Sequence, residues 1–277
     1  TWIASGTGDA DWKFSDEENR LMVPPEDPKY TLKRLRLSKT EKNTFYFGFN
    51  HETFWPLLHE VFHRPDFDPD FWEGYKKANS VYAQSLEEEI DDGENPLVWF
   101  QDFQLCLAPR YFENLIDEDR DIRMMHFWHT PWPTAERFSL CPWREKLLDG
   151  LLANDIIEFH TVQDAKNFLN TVDRLLGEKA DIQGRVLEYE GSKTYVHHSP
   201  ISIDFQKVDK SARTEEVEKK TEQLKSYPYV SDNIVGVGID RLDYAKGIPE
   251  RLDAIDRFLE KYPKYQENFV FFQAGAP

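Results

Sequence analysis

The sequence predicts an α/β protein with parallel, doubly wound sheets. Short apolar runs alternate along the 277 residues with longer segments whose apolar residues recur at a helical period. This alternation is typical of strands that are joined by crossover helices. A second strand-helix-strand unit follows a highly charged segment. We therefore expect one domain over residues 1–230, with a charged connecting helix near residues 209–225, and the start of another over residues 231–277.

Composition limits the class of protein. With 40% hydrophobic and 14% aromatic residues the chain can bury a full core. A net charge of −17 argues against a nucleic-acid binder, which needs a basic surface. No apolar run approaches the roughly 20 residues of a membrane span, and no signal segment opens the chain, so we expect a cytoplasmic protein. Cys106 and Cys141 lie far apart in the sequence, which favours buried thiols over a disulfide or a zinc site.

The N-terminal third combines clear elements with ambiguous ones. Residues 2–8 predict a short strand and a Gly turn, and residues 9–28 a polar loop. Residues 30–38 alternate Leu with basic residues, as a strand does. We expect a short helix over residues 53–62 and, from its helical period, a longer one over residues 71–89.

Polar side chains follow the strands predicted in the middle of the chain. The apolar run 97–100 predicts a central strand, and Asp102 comes directly after it. Residues 123–129 predict another strand, which ends at His129 before a stiff Pro-Trp-Pro turn. A third strand is predicted over residues 155–161. Because ligands of open α/β sheets bind at the carboxyl ends of the strands, these polar residues are candidate site residues. Helical periods predict the intervening helices over residues 107–115, 143–152 and 161–176.

The chain beyond residue 176 predicts three further features. Residues 185–198 predict a hairpin that turns at Glu190-Gly191-Ser192. Residues 200–205 are expected to extend its second strand. The apolar run before Asp240 predicts a buried strand, and the polar turn after it carries Arg241 and Lys246 ahead of a Pro suited to a first helical turn. Such a turn can bind an anion, and the alternative is that its basic side chains pair with the acidic ones beside them.

The stretch Asp240–Arg251 reads Asp-Arg-Leu-Asp-Tyr-Ala-Lys-Gly-Ile-Pro-Glu-Arg. It closely resembles the donor-binding signature of the trehalose-6-phosphate synthases and the related glucosylglycerol-phosphate synthases. The resemblance implies a GT-B fold, in which two Rossmann-like domains face a cleft, and it implies that Arg241 and Lys246 hold the diphosphate of a nucleotide sugar. Because such proteins carry an earlier strand and a Gly-Gly loop, we expect a fragment that lacks these and most of the second domain.

Three more motifs resemble the same family. His129, in His-Thr-Pro-Trp-Pro, matches the His of a His-Ile-Pro-Phe-Pro motif that contacts the transferred sugar. Asp102, in Gln-Asp-Phe-Gln-Leu, matches an Asp that contacts acceptor hydroxyls, although the motif's two His and its Tyr are replaced here. Trp72 matches a Trp that lines the acceptor pocket. By position alone, His129 and Trp72 are core residues and Asp102 is a helix N-cap.

Two other matches carry a structural interpretation or a departure. Phe-His-Thr at residues 159–161 matches the family, and we expect Thr161 to be a helix N-cap. Glu60 stands where the family has a Tyr that contacts the acceptor phosphate, and a carboxylate would repel that phosphate. Either Glu60 points away and a base such as Arg64 takes the phosphate, or the acceptor binds differently.

The resemblance implies a retaining glycosyltransferase that moves glucose from a nucleotide diphosphate glucose to a sugar phosphate. The first acceptor to expect is glucose 6-phosphate, which gives trehalose 6-phosphate. Alternatives are a glucosylglycerol-phosphate synthase that uses glycerol 3-phosphate, and a catalytically silent regulatory subunit. The resemblance implies no cofactor and no metal ion, and the implied partners are small molecules. The sequence does not decide whether the protein forms a homo-oligomer. The resemblance implies four catalytic residues, His129, Asp102, Arg241 and Lys246. Of these, His129, Arg241 and Lys246 are implied to bind the donor. The acceptor is implied to bind at Trp72 and Asp102.

Overall fold

The contacts within the chain divide it into two units, Thr1–Pro200 and Ile201–Pro277. The boundary predicted between residues 230 and 231 lies further along the chain, and the charged segment near residues 209–225 falls in the second unit. This computed structural model describes residues 1–6, 8, 11–61, 63–91, 93, 95–117, 120–178, 180, 181 and 184–276.

Strands and helices alternate over most of the described residues. The strands are β1 Trp2–Ser5, β2 Arg20–Val23, β3 Tyr30–Leu35, β4 Leu97–Gln101, β5 Arg123–Trp128, β6 Ile156–Phe159, β7 Ala180–Asp181, β8 Val186–Tyr189, β9 Ser192–His198, β10 Ile234–Arg241 and β11 Phe269–Ala276. The α-helices are α1 Asp11–Phe14, α2 Lys39–Lys42, α3 Trp55–Leu58, α4 Pro69–Glu87, α5 Ala108–Glu113, α6 Ala135–Phe138, α7 Arg144–Leu151, α8 Val162–Leu176, α9 Phe205–Ala212, α10 Glu215–Lys225, α11 Pro228–Ser231 and α12 Ile248–Lys261. A π-helix spans Asn43–Phe54, and 3₁₀ turns span Phe103–Leu105, Tyr244–Lys246 and Pro263–Tyr265.

A six-stranded sheet organises the first unit, in the order β4-β5-β6-β9-β8-β7. Strands β4, β5, β6 and β9 pair parallel to one another. Strand β8 pairs antiparallel with both β9 and the short β7. The carboxyl ends of β4, β5 and β6 therefore meet at one edge. The prediction that residues 97–100 form a central strand is wrong, because β4 ends the sheet. Val98 and Phe100 are buried while Leu97 and Trp99 are exposed, so only one face of this apolar run is covered.

A smaller sheet, in the order β1-β3-β2, accounts for most of the N-terminal elements. Strands β1 and β3 fall where the sequence predicted them. The loop predicted over residues 9–28 is wrong for α1 and β2, and residues 9 and 10 lie outside the described ones. Strand β2 pairs antiparallel with β3, and Arg20 in it forms an ion pair with Glu89. Strand β3 follows β2 closely in the sequence, whereas Glu89 lies 69 residues beyond Arg20, so no local pattern could indicate that ion pair.

The helices of the first unit pack an aromatic core onto the large sheet. The helix predicted over residues 53–62 is observed as the end of the π-helix and as α3, and Phe62 lies outside the described residues. Helices α4, α5, α7 and α8 and the hairpin confirm their predictions. Both cysteines are buried free thiols, and burial raises the pKa of Cys141 to about 12. The largest fully buried side chains include Trp128, Trp132, Tyr75, Phe49, Phe54, Phe112, Phe138, Phe159 and Phe168.

The second unit contains a parallel pair of strands and the helix that connects them. Strands β10 and β11 pair over eight residues, and α12 joins them, as predicted. Gly247, which precedes α12, has a φ of 60°, a conformation that favours glycine. The predicted extension of β9 over residues 200–205 is wrong, since no strand is assigned there. The charged connecting segment forms two helices, α9 and α10, instead of one.

Thr161 caps α8, and we predict that its hydroxyl stabilises the first unit. Its Oγ1 accepts the Asp164 N–H at 3.1 Å, so Thr161→Ala should lower the free energy of unfolding by about 1 kcal/mol. All eight Trp residues lie in the first unit, so urea unfolding followed by Trp fluorescence reports on that unit. Thr161→Ser keeps the hydroxyl and should stay close to the parent. Equal losses in both variants would contradict the capping role.

Candidate functional site

Asp102 occupies the turn at the carboxyl end of β4 in a conformation that is rare for a side-chain-bearing residue. Its φ is 62° and its ψ is −178°, a region that is almost restricted to glycine and that costs about 1–3 kcal/mol. Such strain persists only where the surroundings impose it. Its own N–H donates to the Phe127 carbonyl at 2.7 Å, and its carbonyl accepts from His126 Nε2 at 2.9 Å.

His126 lies fully buried in β5 beneath this turn. Burial lowers the pKa of His126 to about 4, so the imidazole is neutral at ordinary pH. Because Nε2 faces a carbonyl oxygen, the proton of the neutral ring belongs on Nε2. Its Nδ1 has no hydrogen-bond partner among the described residues. His126 thus holds the Asp102 backbone from below without carrying a charge.

The carboxylate of Asp102 ties this turn to the loop that follows β5. Its Oδ1 accepts the backbone N–H of His129 at 3.0 Å and that of Thr130 at 3.2 Å. It also accepts the Thr130 hydroxyl at 3.4 Å. The structure therefore brings Asp102 and His129 together, as the resemblance implied. The helix N-cap alternative does not apply, because the side chain makes no capping bond to the 3₁₀ turn Phe103–Leu105.

His129 is exposed at the end of β5, and its ring meets the ring of His160 at the end of β6. His129 Nδ1 and His160 Nε2 are 2.9 Å apart, and the ring planes make an angle of 72°. Burial lowers the pKa of His160, and the charge of His129 lowers it further. The motif at residues 159–161 predicted only a structural role for these residues. The adjacency of β5 and β6, which a single sequence does not reveal, is what joins the two rings.

The Pro-Trp-Pro turn anchors the His129 loop in the core. Trp132 is 1% exposed, and its backbone N–H donates to Asp164 Oδ1 at 2.9 Å. Its indole Nε1 donates to Thr171 in α8 at 3.0 Å. Because Asp164 also bonds Thr161, the N-terminus of α8 and the His129 loop are fixed to each other. This confirms Thr161 as an N-cap.

Trp72 belongs to the core in this structure. It is 5% exposed, and its ring stacks on Trp143, with centroids 5.0 Å apart and an interplanar angle of 7°. Tyr75 stacks near it at 5.9 Å. Its place at an acceptor site stays a prediction, but an exposed indole face that could stack on a sugar is absent from it in this unit. The alternative of a buried Trp in an aromatic core describes its position.

Glu60 is exposed and has a φ of 53°. Its Oε1 lies 3.5 Å from the backbone N–H of Thr134, the residue that precedes α6. This is a long contact for a hydrogen bond. The carboxylate is therefore directed towards the loop that continues from the Pro-Trp-Pro turn, and Arg64 is exposed nearby in the sequence.

The basic turn of the second unit contains one cation in a short ion pair, Arg251, and two exposed cations, Arg241 and Lys246. Arg251 pairs with Asp240 at 2.7 Å and donates to Gln273 at 2.8 Å, and its hydrogen bond lowers the pKa of Asp240, with a smaller effect from Lys246. Arg241 lies 3.8 Å from Asp243, with 60% of its side chain exposed. Lys246 is exposed immediately before Gly247. The ion pair of Arg251 with Asp240 is thus shorter than that of Arg241 with Asp243.

The described residues contain neither a metal-binding cluster nor a membrane-spanning helix. Among them, no group of three or more His, Cys, Asp or Glu side chains is placed to hold a metal ion. None of the helices described is both long and apolar enough to cross a membrane.

Comparison with known proteins supports the resemblance. The model of glycosyltransferase family 20 matches residues 5–277. An alpha,alpha-trehalose-phosphate synthase [UDP-forming] 1 of Aspergillus fumigatus is 35% identical over 267 residues, which cover 93% of this chain and 51% of that protein. The chain spans about half the length of the curated relatives it matches.

Solved structures show the same fold. One, described as trehalose-6-phosphate from E. coli bound with UDP-2-fluoro glucose, has a TM-score of 0.82 at 24% identity and matches 99% of this chain and 57% of its own. Another, a synthase from Burkholderia xenovorans in complex with glucose-6-phosphate, has a TM-score of 0.77 at 22% identity, with 93% and 56% covered. They confirm the predicted α/β fold class of the GT-B type.

Buried His126 predicts a specific loss of stability in acid. A histidine whose folded pKa of about 4 lies below its unfolded value of about 6.5 stabilises the fold fully above pH 6.5 and loses this contribution as the pH falls towards 4. The amount is on the order of 3 kcal/mol. His126→Gln keeps a donor for the Asp102 carbonyl and removes the titration, so the free energy of unfolding should fall less steeply with acid.

The measurement is urea unfolding of the first unit between pH 7 and pH 4.5, followed by Trp fluorescence. Exposed His197 in β9 provides the matched control, and His197→Gln should retain the steep parental dependence. If His126→Gln and the parent lost stability in parallel, the buried neutral imidazole would not be the source of the acid sensitivity.

Proposed function

Because the chain belongs to glycosyltransferase family 20, we propose that the protein of which it forms part transfers glucose from UDP-glucose to glucose 6-phosphate and forms trehalose 6-phosphate. The observation that carries the proposal is the junction of Asp102 and His129 at the carboxyl ends of neighbouring parallel strands, in a chain that also keeps the whole basic turn. The names of its relatives, which are UDP-forming synthases, support the choice of nucleotide.

Arg241 and Lys246 are the residues proposed to hold the donor diphosphate. Negative charge grows on the diphosphate as the glycosidic bond breaks, and cations fixed in advance stabilise it more in the transition state than in the ground state. A guanidinium can donate two parallel hydrogen bonds to phosphate oxygens. Since Arg251 is engaged with Asp240 and Gln273, it serves the turn instead of the ligand.

Asp102 and His129 are the residues proposed to contact the sugars. Only Oδ1 of Asp102 accepts hydrogen bonds from the described residues, so Oδ2 has capacity for a sugar hydroxyl. His129 presents an exposed ring whose backbone is fixed by that carboxylate. The strained Asp102 turn and the anchored Trp132 keep both side chains in place before any ligand binds, which lowers the entropy cost of binding.

The reaction proposed needs no metal ion and no carboxylate nucleophile. The bond between the glucose anomeric carbon and the UDP oxygen breaks, and the acceptor oxygen bonds to that carbon on the same face. Because the new bond forms on the face from which UDP departs, the configuration is retained. The acceptor hydroxyl proton passes to the departing phosphate oxygen, so the charges balance. In this scheme the protein supplies orientation and cations.

Glucose 6-phosphate is the acceptor proposed, with glycerol 3-phosphate as the comparison substrate. Glu60 is directed at the Thr134 N–H, which supports the alternative in which its carboxylate leaves the acceptor phosphate to a base such as Arg64. The full-length protein should therefore release UDP and form trehalose 6-phosphate from UDP-glucose and glucose 6-phosphate, as detected by mass spectrometry. Product from glycerol 3-phosphate alone would replace the acceptor proposed.

Arg241→Ala and Lys246→Ala should each lower kcat/KM of the full-length enzyme by about a hundredfold or more, the scale of losing one charge-stabilising group. Folding should be unaffected because both side chains are exposed. Arg257→Ala and Lys261→Ala on α12 are matched controls, since Arg257 pairs with Glu260 outside the turn. Near-parental turnover in either site variant, with unaltered thermal unfolding, would remove that residue from the mechanism.

A further inference from the structure

The two imidazoles at the carboxyl ends of β5 and β6 share one hydrogen bond. His129 Nδ1 and His160 Nε2 are 2.9 Å apart, with ring centroids at 4.5 Å. A bond between two nitrogens needs one N–H and one lone pair, so the proton positions on the two rings are coupled. Whichever nitrogen of His129 is not used in this bond is left to meet a ligand.

Resting on the function proposed above, we propose that His160 is a positioning residue that sets the tautomer of His129. His160 Nε2 accepts the Nδ1–H of His129. The neutral His129 ring then carries its lone pair on Nε2, where it can accept a sugar hydroxyl. The hydrogen bond made by one nitrogen of a histidine decides the state of the other.

Three charged or titratable groups act on the pKa of His160. Asp102 follows β4, His129 follows β5, and Asp164 lies in the first turn of α8. Burial and the charge of His129 lower the pKa of His160, against the opposing effect of Asp164 and Asp102. These effects favour the neutral form of His160, and a neutral ring can offer the Nε2 lone pair that the proposed bond needs.

The setting of the pair is rigid enough for such a role. The Phe127 ring meets His160 edge-to-face, at 5.2 Å between centroids and 89° between planes. The backbone of His129 is fixed by Asp102 Oδ1 at 3.0 Å. Two facing N–H groups 2.9 Å apart would repel each other, so this spacing requires one of the two rings to present a lone pair.

The tautomers can be read directly from a chain labelled with ¹⁵N-histidine at about pH 8, above the ordinary histidine pKa of about 6.5. Long-range ¹H–¹⁵N spectra should show His129 protonated on Nδ1 and bare on Nε2, and His160 protonated on Nδ1. His129→Gln identifies the His129 signals. In His160→Ala the His129 shifts should move to those of an averaging mixture. His160→Gln offers an amide oxygen to Nδ1–H and should restore the parental shifts, and His197→Gln should change none of them.

The same variants in the full-length enzyme test the consequence. His160→Ala should lower kcat/KM about tenfold to a hundredfold, the scale seen when a partner that orients an imidazole is removed, and His160→Gln should recover most of it. A proton on His129 Nε2, His129 shifts that ignore His160→Ala, or unchanged kcat/KM would each overturn the proposal. The spectra need no turnover, so an inactive parent enzyme would count against the proposed function while leaving the tautomer result intact.

Discussion

The hydrogen bonds from the His129 and Thr130 backbone to the carboxylate of Asp102 are the interaction on which the rest of the site depends. They join the ends of β4 and β5 and hold Asp102 at a positive φ that the residue would not adopt alone. Buried His126 supports the same turn from within the sheet. Once the His129 backbone is fixed, its ring comes within hydrogen-bond distance of His160. A strained backbone, a buried neutral histidine and an exposed histidine pair thus form one connected unit.

The second unit presents exposed cations on a chain with a net charge of −17. Arg251 neutralises Asp240 inside the turn, and Arg241 and Lys246 extend from it as exposed side chains. Long-range repulsion of an anionic ligand by the acidic chain is screened within about 8–10 Å at physiological salt. Cations at contact distance would therefore dominate the interaction with the diphosphate proposed as the ligand, even on an acidic protein.

The sequence was sufficient for the α/β class and for most helices and strands, because apolar periodicity reports which faces are covered. It also singled out Asp102 and His129, since polar residues after apolar strands emerge at one sheet edge. It failed for β2, a short apolar run within a polar segment, and for the edge position of β4, because strand pairing is not visible in a local pattern. The role of Asp102 as a backbone clamp and the contact of His160 with His129 were missed for the same reason. Trp72 illustrates the converse, since a motif match does not report burial.

The most direct test of this account compares the stability of the first unit in Asp102→Asn and Asp102→Ala, by urea unfolding followed by Trp fluorescence. Asn retains an oxygen for the two backbone N–H groups, whereas Ala leaves them without an acceptor and keeps the strained φ. We expect Ala to lose about 1–3 kcal/mol and Asn less than half as much. In the same series Asp102→Gly should exceed Ala by about 1 kcal/mol, because glycine relieves the strain. Equal stabilities for Asn and Ala would contradict the claim that this carboxylate holds the site together.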